Sequence, residues 1–308
     1  MSIGDRSVCF TFTPREDDLA EVAMSPELDG VEWQRYVPLS SGRCVDWNKR
    51  LHTEVAHERD GSVRIFFRGD FALQCGKETL YLSLESADQY AERLIRTVCR
   101  QMGIEWTGRL LSRAIVESPA WRLNYEPVSR TLSAPLPEIV LSINKDSLNA
   151  AAQSLFLALS DEHTNTASTV VVKRWLLENG IDCAHLRLPS GSGLDEKTRV
   201  DAVFMGDLLA RAHSLRSGSP DDIARWNAFF ESLPIAGVDG TMRRRGLPGV
   251  RARLKTGTLA STRALAGYLE HPSGKLLSVY TSVTGRSAMP GATAFLDGVL
   301  LWATRLKL

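Results

Sequence analysis

Hydrophobic residues change their period partway along this chain, and that change limits the available folds more than any other feature. Leu51, Thr53 and Val55, then Val63, Ile65 and Phe67, alternate with other residues on either side of Asp60-Gly61. An Asp-Gly pair between two such runs favours a tight hairpin, because the preferred turn needs positive φ at its central residues. Residues 1 to about 80 therefore read as strands and turns. From Ser86 the period becomes helical: Ser86 and Gln89 have capping-box spacing, and Ala91, Leu94, Ile95, Val98 and Met102 follow as one apolar face up to Gly103.

The stretch from Ser118 to Pro137 carries Pro127, Pro135 and Pro137, which discourage continuous helix, and it reads as a connection between domains. The expected division is a β-rich inserted module with one helix over 1–122 and a second domain over 123–308. In the second domain the spacing predicts helices over Glu138–Ser160 with a break near Ser147, over Ala167–Asn179 closed by Gly180, and over Thr198–Ser214. Another begins at Ser219-Pro220, with Trp226, Phe229, Phe230 and Leu233 facing inward. Val250–Leu254, Leu265–Leu269 and Leu276–Val283 are strand-like, the last two joined by His271-Pro272-Ser273-Gly274, and a closing helix runs from about Ala292 to Leu306. The fold class expected is α/β in the α+β sense, an antiparallel sheet covered by helices.

With 308 residues, 44% hydrophobic and 24% charged, the chain has the composition of a soluble globular protein of about two domains. A net charge of +1 argues against a nucleic-acid partner, which normally selects a basic surface. Arg243, Arg244 and Arg245 form the only dense basic run, either a solvated loop or cations near an anionic substrate. No run of about 18 apolar residues predicts a membrane span, and the first residues show no basic region followed by an apolar stretch, so no signal peptide is expected within this sequence. Cys9, Cys44, Cys75, Cys99 and Cys183 are far apart with no CxxC, which argues against zinc; at least one thiol stays unpaired within the monomer, and Cys99 reads as core. No metal and no cofactor are expected.

Lys255-Thr256-Gly257, followed by Thr258, is the sharpest local signal. A strand ending in a cation, hydroxyls and a residue without Cβ suits a substrate that lies along its edge and ends in a carboxylate. About a hundred residues upstream, Ser147-Leu148-Asn149 stands at the break between two helices. Ser-x-Asn alone is most often a helix cap. In this order, however, the two motifs match the second and third parts of the Ser-x-x-Lys, Ser-Asp-Asn, Lys-Thr-Gly signature of penicillin-binding proteins.

The chain resembles the class C low-molecular-mass penicillin-binding proteins, the serine-type D-alanyl-D-alanine carboxypeptidase/endopeptidase family. The resemblance covers Leu233-Pro-Ile-Ala-Gly-Val-Asp-Gly-Thr-Met-Arg-Arg-Arg245, Lys255-Thr-Gly-Thr-Leu259, Leu265-Ala-Gly-Tyr268, Ser190-Gly-Ser-Gly-Leu194, Gly103-Ile-Glu-Trp-Thr-Gly108 and Ser133-Ala-Pro-Leu136. Ser190 stands where the family usually has Asp. The resemblance implies a transpeptidase/β-lactamase-like domain, peptidoglycan stem peptides as substrate, β-lactams as ligands, and a periplasmic or extracytoplasmic location. It further implies that Ser147 relays a proton to the leaving D-alanine and Asn149 holds the peptide amide. Lys255 would tune the proton network and attract the carboxylate, Thr256 and Thr258 would bind it beside Gly257, and the Thr258 N–H would supply half of the oxyanion hole.

The nucleophile is not expected among these residues. In the family a Ser-x-x-Lys helix precedes the inserted module, and the one such tetrapeptide here, Ser142-Ile143-Asn144-Lys145, runs into Ser147-Leu148-Asn149. One segment cannot form two converging walls of a cleft, so hydrolysis by this chain alone is expected to be negligible. Two other readings stand beside the carboxypeptidase: a non-catalytic relative that binds peptidoglycan or a partner, and a β-lactamase-like hydrolase.

Overall fold

The computed structural model describes residues 7–44, 47–110 and 130–308, which divide into two compact units, 1–127 and 128–308. The division expected after Arg122, and the part of the proline-containing connection from Ser118 to Ser129, lie outside the described residues.

The first unit builds two sheets. Strands β1 (Val8–Pro14), β2 (Leu19–Ser25), β4 (Tyr36–Ser40), β7 (Phe71–Ala72) and β8 (Glu78–Leu82) form one, in the order β7-β4-β2-β1-β8. Strands β3 (Val31–Trp33), β5 (His52–His57) and β6 (Val63–Arg68) form the other, in the order β3-β6-β5, and a single turn of helix, α1 (Trp47–Arg50), precedes β5. The hairpin expected around Asp60-Gly61 is present, with Val55 opposite Ile65 and Thr53 opposite Phe67. Alternate residues of β1 and β6 point inward, so Phe10, Phe12, Ile65 and Phe67 are buried, and the Phe67 ring meets those of Phe10 and Phe12 edge to face. A disulfide joins Cys44 to Cys75, and Cys9, Cys99 and Cys183 are free.

Helix α2 (Ala87–Gln101) starts on the expected Ser86–Gln89 capping box. Its buried stripe differs from the expected one: Tyr90 and Thr97 are buried, whereas Val98 is 43% and Met102 68% exposed, and Cys99 is only partly buried. Arg93 explains the rotation. Its guanidinium pairs with the nearly buried Glu85 and donates to the carbonyls of Asp29 and Gly61, which turns that side of the helix toward the sheets.

The second unit has one antiparallel sheet, β11-β10-β9, from β9 (Arg251–Leu259), β10 (Thr262–Glu270) and β11 (Leu276–Thr284). The expected run Val250–Leu254 is too short for β9: the strand runs on through Lys255-Thr256-Gly257, which sits inside it rather than at its end. Helices α3 (Leu136–Asp146), α4 (Asn149–Leu157), α5 (Asn165–Glu178), α6 (Ala202–Ser214), α7 (Pro220–Ser232) and α8 (Met289–Ala303) accompany the sheet. The break at Ser147 separates α3 from α4, as expected, and Pro137 lies in the first turn of α3, where a missing N–H costs nothing. Helix α6 starts at Ala202 instead of Thr198, because Asp201 caps it and Arg199 pairs back with Arg187. Trp226 and Leu233 are buried as expected, in a cluster with Leu209 and Tyr268 that Phe229 and Phe230 adjoin. Helix α8 packs Leu296 and Leu300 onto Leu254, Leu265 and Val279 of the sheet.

Candidate active site

A cleft of about 670 Å³ opens in the second unit where the α3–α4 break faces β9. All six residues singled out from the sequence, Ser147, Asn149, Lys255, Thr256, Gly257 and Thr258, line it. One wall is the helix break. Ser147 ends α3 in the left-handed conformation (φ 57°, ψ 49°), which turns the chain so that α4 can start at Asn149. For a residue other than glycine this conformation is uncommon and gathers at functional sites.

The facing wall is β9. Its edge away from β10 is already bonded at one end, where Ala236 N–H donates to the Ala252 carbonyl and Leu254 N–H to the Pro234 carbonyl. Backbone groups of alternate residues point to the same edge of a strand. The N–H groups of Thr256 and Thr258 therefore also face away from β10, into the cleft. The side chain of Lys255 reaches across and joins the walls: its Nζ lies 2.8 Å from Ser147 Oγ and donates to the Thr256 carbonyl at 2.9 Å. Burial holds the Lys255 ammonium below the ordinary lysine pKa. Thr256 Oγ1 donates to Thr241 Oγ1 at 2.9 Å.

The 190–194 loop lines the cleft beside α4. Gln153 Oε1 accepts from the Gly191 N–H at 2.8 Å, and Gln153 Nε2 donates to Asn165 Oδ1 at 2.7 Å, so the loop is tied to both α4 and α5. Gly191 lies directly on Phe156: a Cβ there would come within 2.2 Å of the Phe156 Cβ. Arg245, from the basic run, also lines the cleft, but its guanidinium is committed to Asp297 at 2.6 Å, while Arg243 and Arg244 are exposed.

Ser142-x-x-Lys145 is not a second catalytic pair. Lys145 Nζ is enclosed by the Leu233 carbonyl at 2.7 Å and both carboxylate oxygens of Asp239, at 3.0 and 2.8 Å. An ammonium has three N–H donors, and three acceptors use them all. Thr241 and Gln153 were not singled out from the sequence. Thr241 lies within the Leu233–Arg245 stretch that carries the resemblance, and Gln153 carries no local signal. Among the described residues no group of three or more His, Cys, Asp and Glu side chains is placed to hold a metal ion, and no helix is long and apolar enough to cross a membrane.

D-alanyl-D-alanine carboxypeptidase DacB of Haemophilus influenzae is 30% identical over 243 residues, covering 76% of this chain and 47% of that protein. A D-alanyl-D-alanine carboxypeptidase from an Actinomadura species is 32% identical over 194 residues, covering 59% of this chain and 34% of its own length. The chain thus spans about half of the first relative and a third of the second. The crystal structure of penicillin binding protein 4 from Haemophilus influenzae superimposes with a TM-score of 0.63 over 99% of this chain and 67% of that one, at 22% identity. The fold is therefore that of a penicillin-binding peptidase. The profile of the D-Ala-D-Ala carboxypeptidase 3 (S13) family matches residues 5–301, and the chain belongs to that family.

Proposed function

We propose that the cleft serves a serine-type D-Ala-D-Ala carboxypeptidase or endopeptidase that acts on peptidoglycan stem peptides by acyl transfer, outside the cytoplasm. The observation that carries this reading is the 2.8 Å contact between Lys255 Nζ and Ser147 Oγ across the cleft. A lysine whose charged form burial disfavours, in contact with a serine hydroxyl, can pass a proton through that hydroxyl. Ser147 is assigned the relay to the leaving D-alanine. Asn149, on the same wall, holds the amide of the peptide. Lys255, Thr256 and Thr258 receive the terminal carboxylate, with Gly257 leaving room for the backbone, and the Thr258 N–H faces the developing oxyanion. Attack is assigned to none of these residues, and Ser142 is unsuited to it because Lys145, its only motif partner, is saturated. A second reading, binding of stem peptides or of a β-lactam without hydrolysis, would use the same cleft residues.

The test is titration with diacetyl-L-Lys-D-Ala-D-Ala, followed by NMR, together with an assay for released D-alanine. Tripeptide binding that Lys255→Ala weakens by at least tenfold is expected under both readings. D-alanine release then separates hydrolysis from binding alone. Binding that is unchanged in Lys255→Ala sinks the assignment of this cleft.

A further inference from the structure

The contact between Lys255 and Ser147 joins residues 108 positions apart, on elements that share no hydrogen-bonded ladder. Something must hold the two walls at that separation. The loop 233–242 touches both. On the β9 side it pairs with the strand through Ala236 N–H to Ala252 and Pro234 carbonyl to Leu254, and Thr241 meets the Thr256 hydroxyl. On the α3 side Lys145, two residues before Ser147, donates to the Leu233 carbonyl and to Asp239, while Asn144 Nδ2 donates to Ser232 Oγ at 2.7 Å.

The loop is itself shaped by the same carboxylate, since Asp239 Oδ1 accepts from the Ile235 N–H at 2.7 Å. Gly240 completes the fit. Its φ is +53°, and a Cβ there would lie 2.7 Å from the Lys145 carbonyl oxygen, so α3 and the loop meet with no side chain between them. Lys145 is 13% exposed and Asp239 37%, so the lysine end of the pair is shielded while the carboxylate still meets solvent. Burial alone would raise the Asp239 carboxyl, but the Ile235 N–H and the Lys145 ammonium together hold it below its ordinary value.

We propose that Lys145 and Asp239 are positioning residues that lock the 233–242 loop to the end of α3 and thereby set the gap between Ser147 and Lys255. This inference rests on the proposed use of the cleft for its ligand, but its first readout does not. Loosening the lock admits water to Lys255, so its titration should move up toward that of an ordinary lysine.

The experiment uses the full chain grown with ¹³C-labelled lysine, so that the Lys255 Cε signal is followed by NMR with Nζ unaltered and assigned from its loss in Lys255→Arg. Lys145→Met should raise the Lys255 titration and weaken diacetyl-L-Lys-D-Ala-D-Ala binding about tenfold, which corresponds to 1.4 kcal/mol. Asp239→Asn keeps an acceptor for Ile235 while removing the charge, and should act in the same direction more weakly, which keeps the test open if Lys145→Met fails to fold. Lys145→Arg should restore part of both readouts. Ile181→Ala, in a separate apolar cluster, is the control for general loss of stability and should leave the Lys255 titration in place. The proposal is overturned if Lys255 titrates in Asp239→Asn and Lys145→Met as in the parent, or if Ile181→Ala shifts it equally. If Lys255→Ala leaves tripeptide binding unchanged, the assignment of the cleft fails, while the Lys255 titration still decides the lock.

Discussion

Replacing Gly257 with alanine separates what the cleft needs from what the fold needs. Gly257 lies in β9 opposite Ala264, and a Cβ built on it meets only the Ala264 Cβ, at 3.5 Å, an ordinary contact. Nothing else within 4 Å opposes the added methyl. Glycine in a strand costs roughly 0.5–1 kcal/mol against alanine, because the unfolded chain has more freedom to lose. In a unit of this size about 1 kcal/mol moves the thermal midpoint by about 2–4 °C, so Gly257→Ala should raise it by about 1–4 °C. The same Cβ would stand on the face of β9 that carries Lys255, where a peptide lying along the edge must approach. Forcing a methyl into a close contact costs about 1–3 kcal/mol, which corresponds to a loss of affinity of about 5- to 150-fold. Calorimetry of the variant, followed by titration with the diacetylated tripeptide, measures both effects on one sample. A midpoint that falls by several degrees would show that the glycine serves the fold. Unchanged affinity in a well-folded variant would refute the reading of β9 as the ligand's edge.

Lys255→Ala in an active form of the protein should lower kcat/KM ten- to a hundredfold or more, since a charge-assisted hydrogen bond contributes about 1.5–3 kcal/mol; an unchanged value rules out its role. Because burial lowers the pKa of Lys255, the unfolded chain binds more protons between that lowered value and about 10.4, and this group's effect on stability improves as pH rises through that window. Lys255→Met should therefore raise the thermal midpoint most at neutral pH, with the gain shrinking toward pH ~10, and a pH-independent gain would contradict the burial argument. Gly191→Ala should displace the 190–194 loop, seen as shifted Gly191 and Gln153 amide resonances and weaker tripeptide binding, because its Cβ would collide with Phe156. Thiol titration of the unfolded protein should give three free thiols before reduction and five after it, given the Cys44–Cys75 bond. Phe295 and Trp302 on the outward side of α8 are 57% and 61% exposed, so the isolated chain should bind ANS; a sharp thermal transition with no ANS binding would show that this face is not adhesive.

The hairpin at Asp60-Gly61, the capping box at Ser86 and the break at Ser147 were legible because each is decided by residues within a few positions of one another. Six cleft residues were legible for a different reason: two short motifs in a fixed order bring them together. The face of α2 was misjudged because apolar spacing cannot weigh an arginine. Arg93 buries its guanidinium against Glu85 and two carbonyls, so the helix turns a charged residue inward and leaves Met102 in water. The full length of β9 was missed because its second half faces a cleft, where Lys, Thr and Gly replace the alternating apolar residues that mark a strand. The link between Lys145 and Asp239 spans 94 positions and leaves no local trace at either end. The same bonds account for why Ser142-x-x-Lys145 has the letters of a catalytic pair without its chemistry.

A nine-residue strand with one side open is a template for any extended chain, including a misfolded copy of the same protein. The bonds from Pro234 and Ala236 occupy that side of β9 as far as Leu254, so only the stretch beyond Lys255 can accept a visitor. That remainder is too short, too polar and too close to a buried ammonium to nucleate a growing sheet. On the proposed use of the cleft, the same few backbone hydrogen bonds would leave a docking edge for a short peptide ending in a negative charge while withholding one from long, neutral segments.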